Sequence, residues 1–214
     1  MTKAVCIDLD GTLIDTIPAM YQVYSKFLAH FGKKGTEEEF AGLIGPSIDE
    51  IVVILKERYN LPESPHELSI YYVSLLMMQG FEGTKLFEGA KTTLENLKKK
   101  GIKIALVTSG TRSLVKSCLE PLHVDPLFDL VVTSEDVKKA KPNPDLYQLT
   151  LDKLGLKAEE VVAIEDSDAG KQAAREAGLS VIMITHGQPV GKNSDPQVVY
   201  KPNWTEIGAW LQQK

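Results

Sequence analysis

Five short runs, residues 4–9, 102–108, 130–133, 161–164 and 181–185, are almost continuously apolar and rich in β-branched side chains. Strands buried on both faces of a parallel sheet read this way, whereas half-exposed strands alternate. Between most of these runs the apolar residues fall at helical spacing. Residues 90–100 end in three lysines and stop at Gly101, a helix C-terminus signal. Residues 145–154 stop at Gly155, and residues 169–177 stop at Gly178. Strands alternating with helices predict an α/β fold, a Rossmann-like doubly wound parallel sheet.

Residues 16–83 interrupt the alternation. Helical patterns cover 19–31, 36–43, 48–58 and 67–78, with breaks at Gly32, Gly45-Pro46 and Asn60-Leu61-Pro62. The spacing predicts an all-helical insert at 16–83 within a discontinuous α/β unit formed by 1–15 and 84–214. Met77, Met78 and Phe81 are expected to pack inside this insert. The segment 204–211 reads as an amphipathic helix, with Thr205 as its expected cap.

Composition narrows the function classes. The chain has 214 residues, of which 43% are hydrophobic, so a sizeable core forms and global disorder is excluded. Lys and Arg number 24 against 29 Asp and Glu, a net charge of -5 without the basic excess of a duplex binder. Aromatics at 7% are too sparse for a single-strand stacking platform. No nucleic-acid, membrane or protein partner is expected. Cys6 and Cys118 cannot build a disulfide framework, and Cys6 reads as a core residue. The chain shows no signal-peptide pattern and no run of 18 apolar residues, so the expectation is a cytoplasmic protein.

The first strand runs into Asp8-Leu9-Asp10-Gly11-Thr12. Ligand sites of α/β sheets lie beyond the carboxyl ends of strands, so Asp8 and Asp10 stand where chemistry is placed. Gly11 lets the chain turn sharply there. Two acids two residues apart repel unless a cation lies between them, and hard oxygen ligands suit Mg²⁺.

With this motif the chain resembles the haloacid dehalogenase-like hydrolase superfamily, and three further motifs follow in the family's order. Thr108-Ser109-Gly110 ends the second core strand, Lys141 precedes Pro142-Asn143-Pro144-Asp145, and Glu165-Asp166-Ser167-Asp168 follows a later strand. The resemblance implies Asp8 as the nucleophile that becomes an aspartyl-phosphate and Asp10 as the general acid/base. It implies phosphoryl binding by Thr108, the Ser109 and Gly110 backbone, and Lys141. Mg²⁺ would be held by Asp8, the Asp10 carbonyl and Asp166, with Glu165 as a ligand or an orienter of ligands. Asp168 is expected to cap the following helix.

The family's members of this type carry a helical cap, which matches residues 16–83. Their cap loop reaches the substrate, making Gly45 and Ser47 candidate contacts. The implied activity is a Mg²⁺-dependent phosphatase acting on a small phosphorylated metabolite. A β-phosphoglucomutase-like mutase is the alternative, weakened because Asp15 to Met20 lacks the mutases' His and the Gly45-Pro46 loop lacks their Arg. A non-catalytic phospholigand-binding protein on the same scaffold is a third reading. His30, His66, His123 and His186 share no ligand spacing and are expected to be surface or structural residues.

Overall fold

The computed structural model describes residues 1–79, 84–190 and 194–213. Six parallel strands, β1 (Ala4–Ile7), β2 (Lys103–Val107), β3 (Leu130–Val132), β4 (Val161–Glu165), β5 (Ser180–Ile184) and β6 (Val199–Lys201), form one sheet in the order β3-β2-β1-β4-β5-β6. Val5 pairs with Ile104 on one side and with Val162 on the other, so β1 is central. The strand order reverses direction beside β1. In open α/β sheets the crevice for ligands lies at that switch point, outside the carboxyl ends of the strands.

Successive residues of a strand point to opposite faces. Val5, Ile7, Ile104 and Leu106 therefore share one core with α5 (Ala90–Lys99), α6 (Arg112–Leu119) and α9 (Trp204–Leu211). Ala4, Cys6, Ala105 and Val107 share the other core with α7 (Asp145–Leu154) and α8 (Asp168–Glu176). Cys6 and Cys118 are buried free thiols.

Residues 17–79 form α1 (Ile17–His30), α2 (Glu37–Ala41), α3 (Ile48–Tyr59) and α4 (Pro65–Gln79). They gather a third core around Phe27, Leu28, Val52, Leu55, Leu68 and Tyr72, joined from outside by Leu114 of α6. Their starts have physical causes: Pro18 at the first turn of α1, the Thr36 cap on α2, and a reciprocal Ser47–Glu50 capping box on α3.

Several local expectations are corrected. The cap of α8 is Ser167, whose hydroxyl accepts from Gly170 N at 3.1 Å, and Asp168 is the first helical residue, paired with Lys171. Asn203 caps α9 by accepting from Glu206 N at 2.9 Å, which leaves Thr205 inside the helix. Met77 and Met78 are exposed, because the apolar side of α4 is already supplied by Leu68, Tyr72 and Leu76. Phe81 lies outside the described residues. The strand β6 and helix α6 appear where no element was expected. Among the described residues, no helix is long and apolar enough to cross a membrane.

Candidate active site

Asp8 and Asp10 follow β1, Thr108 follows β2, and Glu165 closes β4 with Asp166 next to it. Neighbouring parallel strands in register put these residues at one edge of the sheet. Lys141 reaches the same point from the loop before α7 and is fully buried. Its Nζ lies 2.5 Å from Asp8 Oδ1, 2.6 Å from Glu165 Oε1 and 2.9 Å from the Val107 carbonyl. A buried ammonium is tolerated when paired and hydrogen-bonded in this way. Burial alone would lower its pKa, but Asp8 and Glu165 outweigh that and hold it above the usual lysine range.

The carboxylates are shifted by their crowding. Burial and then the negative charge of Asp8 push Asp10 up to about 6, against a 2.6 Å hydrogen bond from the Thr16 hydroxyl. Asp166 is raised by burial and by Asp8 and Glu165, while Thr12 donates to its Oδ1 at 3.0 Å. Burial also raises Glu165, against the pull of Lys141. The Tyr147 hydroxyl donates to Glu165 Oε1, and the Tyr147 ring lies under the ammonium, 5.5 Å from centroid to Nζ.

A hard divalent cation fits this donor set. Ligand oxygens of Asp8, Glu165 and Asp166 lie within 4.8 Å of one another. One lysine stands against four carboxylates, and Glu165 Oε2 is buried without a hydrogen-bond partner. Gly11, at φ 76°, leaves the space: a Cβ there would sit 2.1 Å from Asp166 Oδ2. Oxygen ligands in such a crowded anionic site suit Mg²⁺.

A cavity of about 60 Å³ opens on Asp8, Asp10, Thr108, Ser109, Gly110 and Asp166. Gly110 N donates to the Thr108 hydroxyl oxygen at 3.0 Å, which leaves the hydroxyl proton free to point elsewhere. The Ser109 hydroxyl is buried without a partner. Gly45, at φ 106°, also lines the cavity and touches the far loop, where a Cβ would come 2.8 Å from Ser167 Oγ. Ser47 lies off the cavity wall, and its hydroxyl donates to Glu50 Oε2 at 2.8 Å. Lys141 is enclosed behind Asp8 and does not line the cavity.

The family model for haloacid dehalogenase-like hydrolases matches residues 5–184. The chain belongs to this family. The phosphorylated carbohydrates phosphatase of Thermotoga maritima is 32% identical over 198 residues, covering 89% of this chain and 88% of that protein. The phosphoglycolate phosphatase of Yersinia pestis is 31% identical over 197 residues, covering 89% and 84%. The solved β-phosphoglucomutase of Clostridium difficile shares the fold, with a TM-score of 0.83 at 21% identity, covering 100% of this chain and 96% of that one. The two phosphatases and the family model support a hydrolase acting on phosphorylated compounds.

In this haloacid dehalogenase-like hydrolase, three residues near the site, Thr16, Tyr147 and His186, lie outside the motifs, and Thr12 closes the first motif without an assigned role. Thr16 and Thr12 bond Asp10 and Asp166. Tyr147 sits on the buried side of α7 with Leu146 and Thr150, so the only signal for it was helical spacing six residues past Lys141. His186 lies 2.6 Å from the Gly11 carbonyl through Nε2 and stacks on Phe87 at 3.9 Å between centroids, a structural placement no spacing rule would reveal.

Proposed function

We propose that the protein is a Mg²⁺-dependent phosphatase that hydrolyses a small phosphorylated metabolite through an aspartyl-phosphate on Asp8. Residues 16–83 act as a cap over a core of 1–15 and 84–214. One observation carries this reading: Asp8, Asp10, Thr108 and Asp166 meet around a single cavity at the switch point of the sheet, with Lys141 bound to Asp8.

Asp8 Oδ1 is held by Lys141, which aims the carboxylate without neutralising its second oxygen. That oxygen attacks phosphorus, and the bond from phosphorus to the leaving alcohol oxygen breaks. Asp10 gives its proton to that oxygen. Its pKa of about 6 makes both protonation states accessible near neutral pH, as an acid that later serves as base requires. Asp10 then takes a proton from water, the water oxygen attacks phosphorus, and the bond to Asp8 breaks to release phosphate. The Thr108 and Ser109 hydroxyls and the Ser109 backbone N–H would donate to the phosphoryl oxygens, while the expected Gly110 N–H is taken by the Thr108 hydroxyl oxygen.

Asp8, the Asp10 carbonyl and Asp166 would hold Mg²⁺, with Glu165 orienting the group through Lys141. When bound, Mg²⁺ supplies positive charge that lets an anionic ester approach an anionic nucleophile.

The test is hydrolysis of p-nitrophenyl phosphate. Turnover should appear with Mg²⁺, disappear with chelator, and be absent from Asp8→Asn that retains the native circular dichroism. Turnover by a pure, folded Asp8→Asn sample overturns the assignment.

A further inference from the structure

The cavity has two unlike walls. The sheet edge supplies the carboxylates and hydroxyls already described. The opposite wall, from residues 17–79, consists mainly of Met20, Ile44, Pro46, Ile51, Tyr72 and Leu76. No Lys, Arg or His lines the cavity among the described residues.

The basic residues of that helical segment are engaged elsewhere. Lys26 donates to Gln79 at 2.6 Å, and Lys56 donates to the carbonyls of Leu61 and Glu63 at 2.6 Å each. Arg58 faces Glu39 at 3.4 Å, His30 packs on Tyr71 and Phe31, and Lys33, Lys34 and His66 are exposed. An adjoining groove past Ser109 does bring Lys138 and Lys139, but Asp49, Glu50 and Glu135 line it too and outnumber them.

Tyr72 is the exception in chemistry. The residue is 2% exposed, and its hydroxyl is the one polar side-chain group on this wall among the described residues. A ligand hydroxyl in the cavity can pair with it, where the rest of this wall offers only apolar side chains.

Building on the phosphatase reading, we propose that the leaving group is a small uncharged alcohol, and that esters carrying a second anionic group are discriminated against. A carboxylate or second phosphate placed against Ile51 and Leu76 would be desolvated with no cation to meet it, which is costly. A neutral alcohol loses little there, and one hydroxyl can pair with Tyr72. The same wall disfavours a mutase, whose bisphosphate intermediate needs its second phosphate held.

The experiment compares kcat/KM, with Mg²⁺, for 2-hydroxyethyl phosphate and 2-phosphoglycolate, which differ at the end remote from the ester. Glucose 1,6-bisphosphate and p-nitrophenyl phosphate complete the panel. A preference of about tenfold or more for 2-hydroxyethyl phosphate over 2-phosphoglycolate is expected, the factor that about 1.4 kcal/mol of discrimination gives. Equal or better use of 2-phosphoglycolate, or efficient use of the bisphosphate, overturns the proposal. Ile51→Lys, or Leu76→Lys if the first does not fold, should move the ratio toward 2-phosphoglycolate; an unchanged ratio in the folded variant contradicts the placement of the leaving group. Cleavage of p-nitrophenyl phosphate with the wrong preference defeats this inference alone. Cleavage of no phosphoester defeats the phosphatase reading with it.

Discussion

Lys141→Met should destabilise the protein in a way that depends on pH. The ammonium lies 2.5 Å from Asp8 and 2.6 Å from Glu165 and is wholly buried. At an effective dielectric of about 20, each contact is worth about 6 kcal/mol before desolvation. Burying the ammonium cancels most of this, and removing one partner of such a pair costs about 3–5 kcal/mol because the carboxylates stay buried and uncompensated. With about 3 kcal/mol per molar of urea, the denaturation midpoint falls by about 1–1.7 M.

Glu165 and Asp166 already have carboxyl pKa values above their unfolded ones, so the native state binds protons more tightly than the unfolded state. Their contribution is present below the unfolded pKa and is lost as pH rises through the folded one. Without Lys141, Glu165 rises further, since Lys141 is the main group holding it down. The variant should therefore lose most at pH 8 and much less at pH 5. Urea titrations in chelator at both values measure this. An equal loss at pH 5 and pH 8 would refute the electrostatic reasoning and leave only lost packing.

Other outcomes follow from neighbouring contacts. Thr16→Val removes the hydrogen bond that holds Asp10 down, so the limb of the kcat–pH profile assigned to Asp10 should move up from about 6; a limb that stays or falls contradicts the pairing. Gly45→Ala forces a Cβ against Ser167 Oγ and Ala169 at a left-handed φ, and should cost about 1–3 kcal/mol in thermal or urea unfolding and reduce kcat/KM. Trp204→Phe leaves the Thr12 carbonyl without the indole N–H that donates to it at 2.9 Å, a loss of about 1–3 kcal/mol measurable by urea unfolding.

The sheet was legible because its strands are buried on both faces and so read as unbroken apolar runs; Cys6 and Ala105 sit in the core as that pattern requires. The strand β6 escaped notice because it is a three-residue, half-buried edge without such a run. Helix α6 did carry signals, a Thr111 cap and apolar Leu114, Val115, Cys118 and Leu119, but its polar residues obscured them. Motif order brought Asp8, Asp10, Thr108, Lys141, Glu165 and Asp166 to attention, and they do converge in space. What spacing could not supply were contacts made across the fold. Tyr147 meets Glu165 only across the core that α7 shares with β4, and His186 meets Gly11 only because the segment after β5 reaches the loop after β1. The capping error at Asp168 has a local cause: Ser167 and Asp168 are both good caps, and only backbone geometry decides between them.

The central claim is that Asp8 carries the phosphoryl group, and trapping that bond tests it most directly. Enzyme turning over p-nitrophenyl phosphate with Mg²⁺ is quenched in acid and reduced with borohydride, which converts an acyl phosphate of aspartate to homoserine. Peptide mass spectrometry should find homoserine at position 8, and none in an Asp8→Asn sample. Homoserine at another position, or none while wild-type turnover is rapid and a phosphoenzyme has accumulated, would contradict the account.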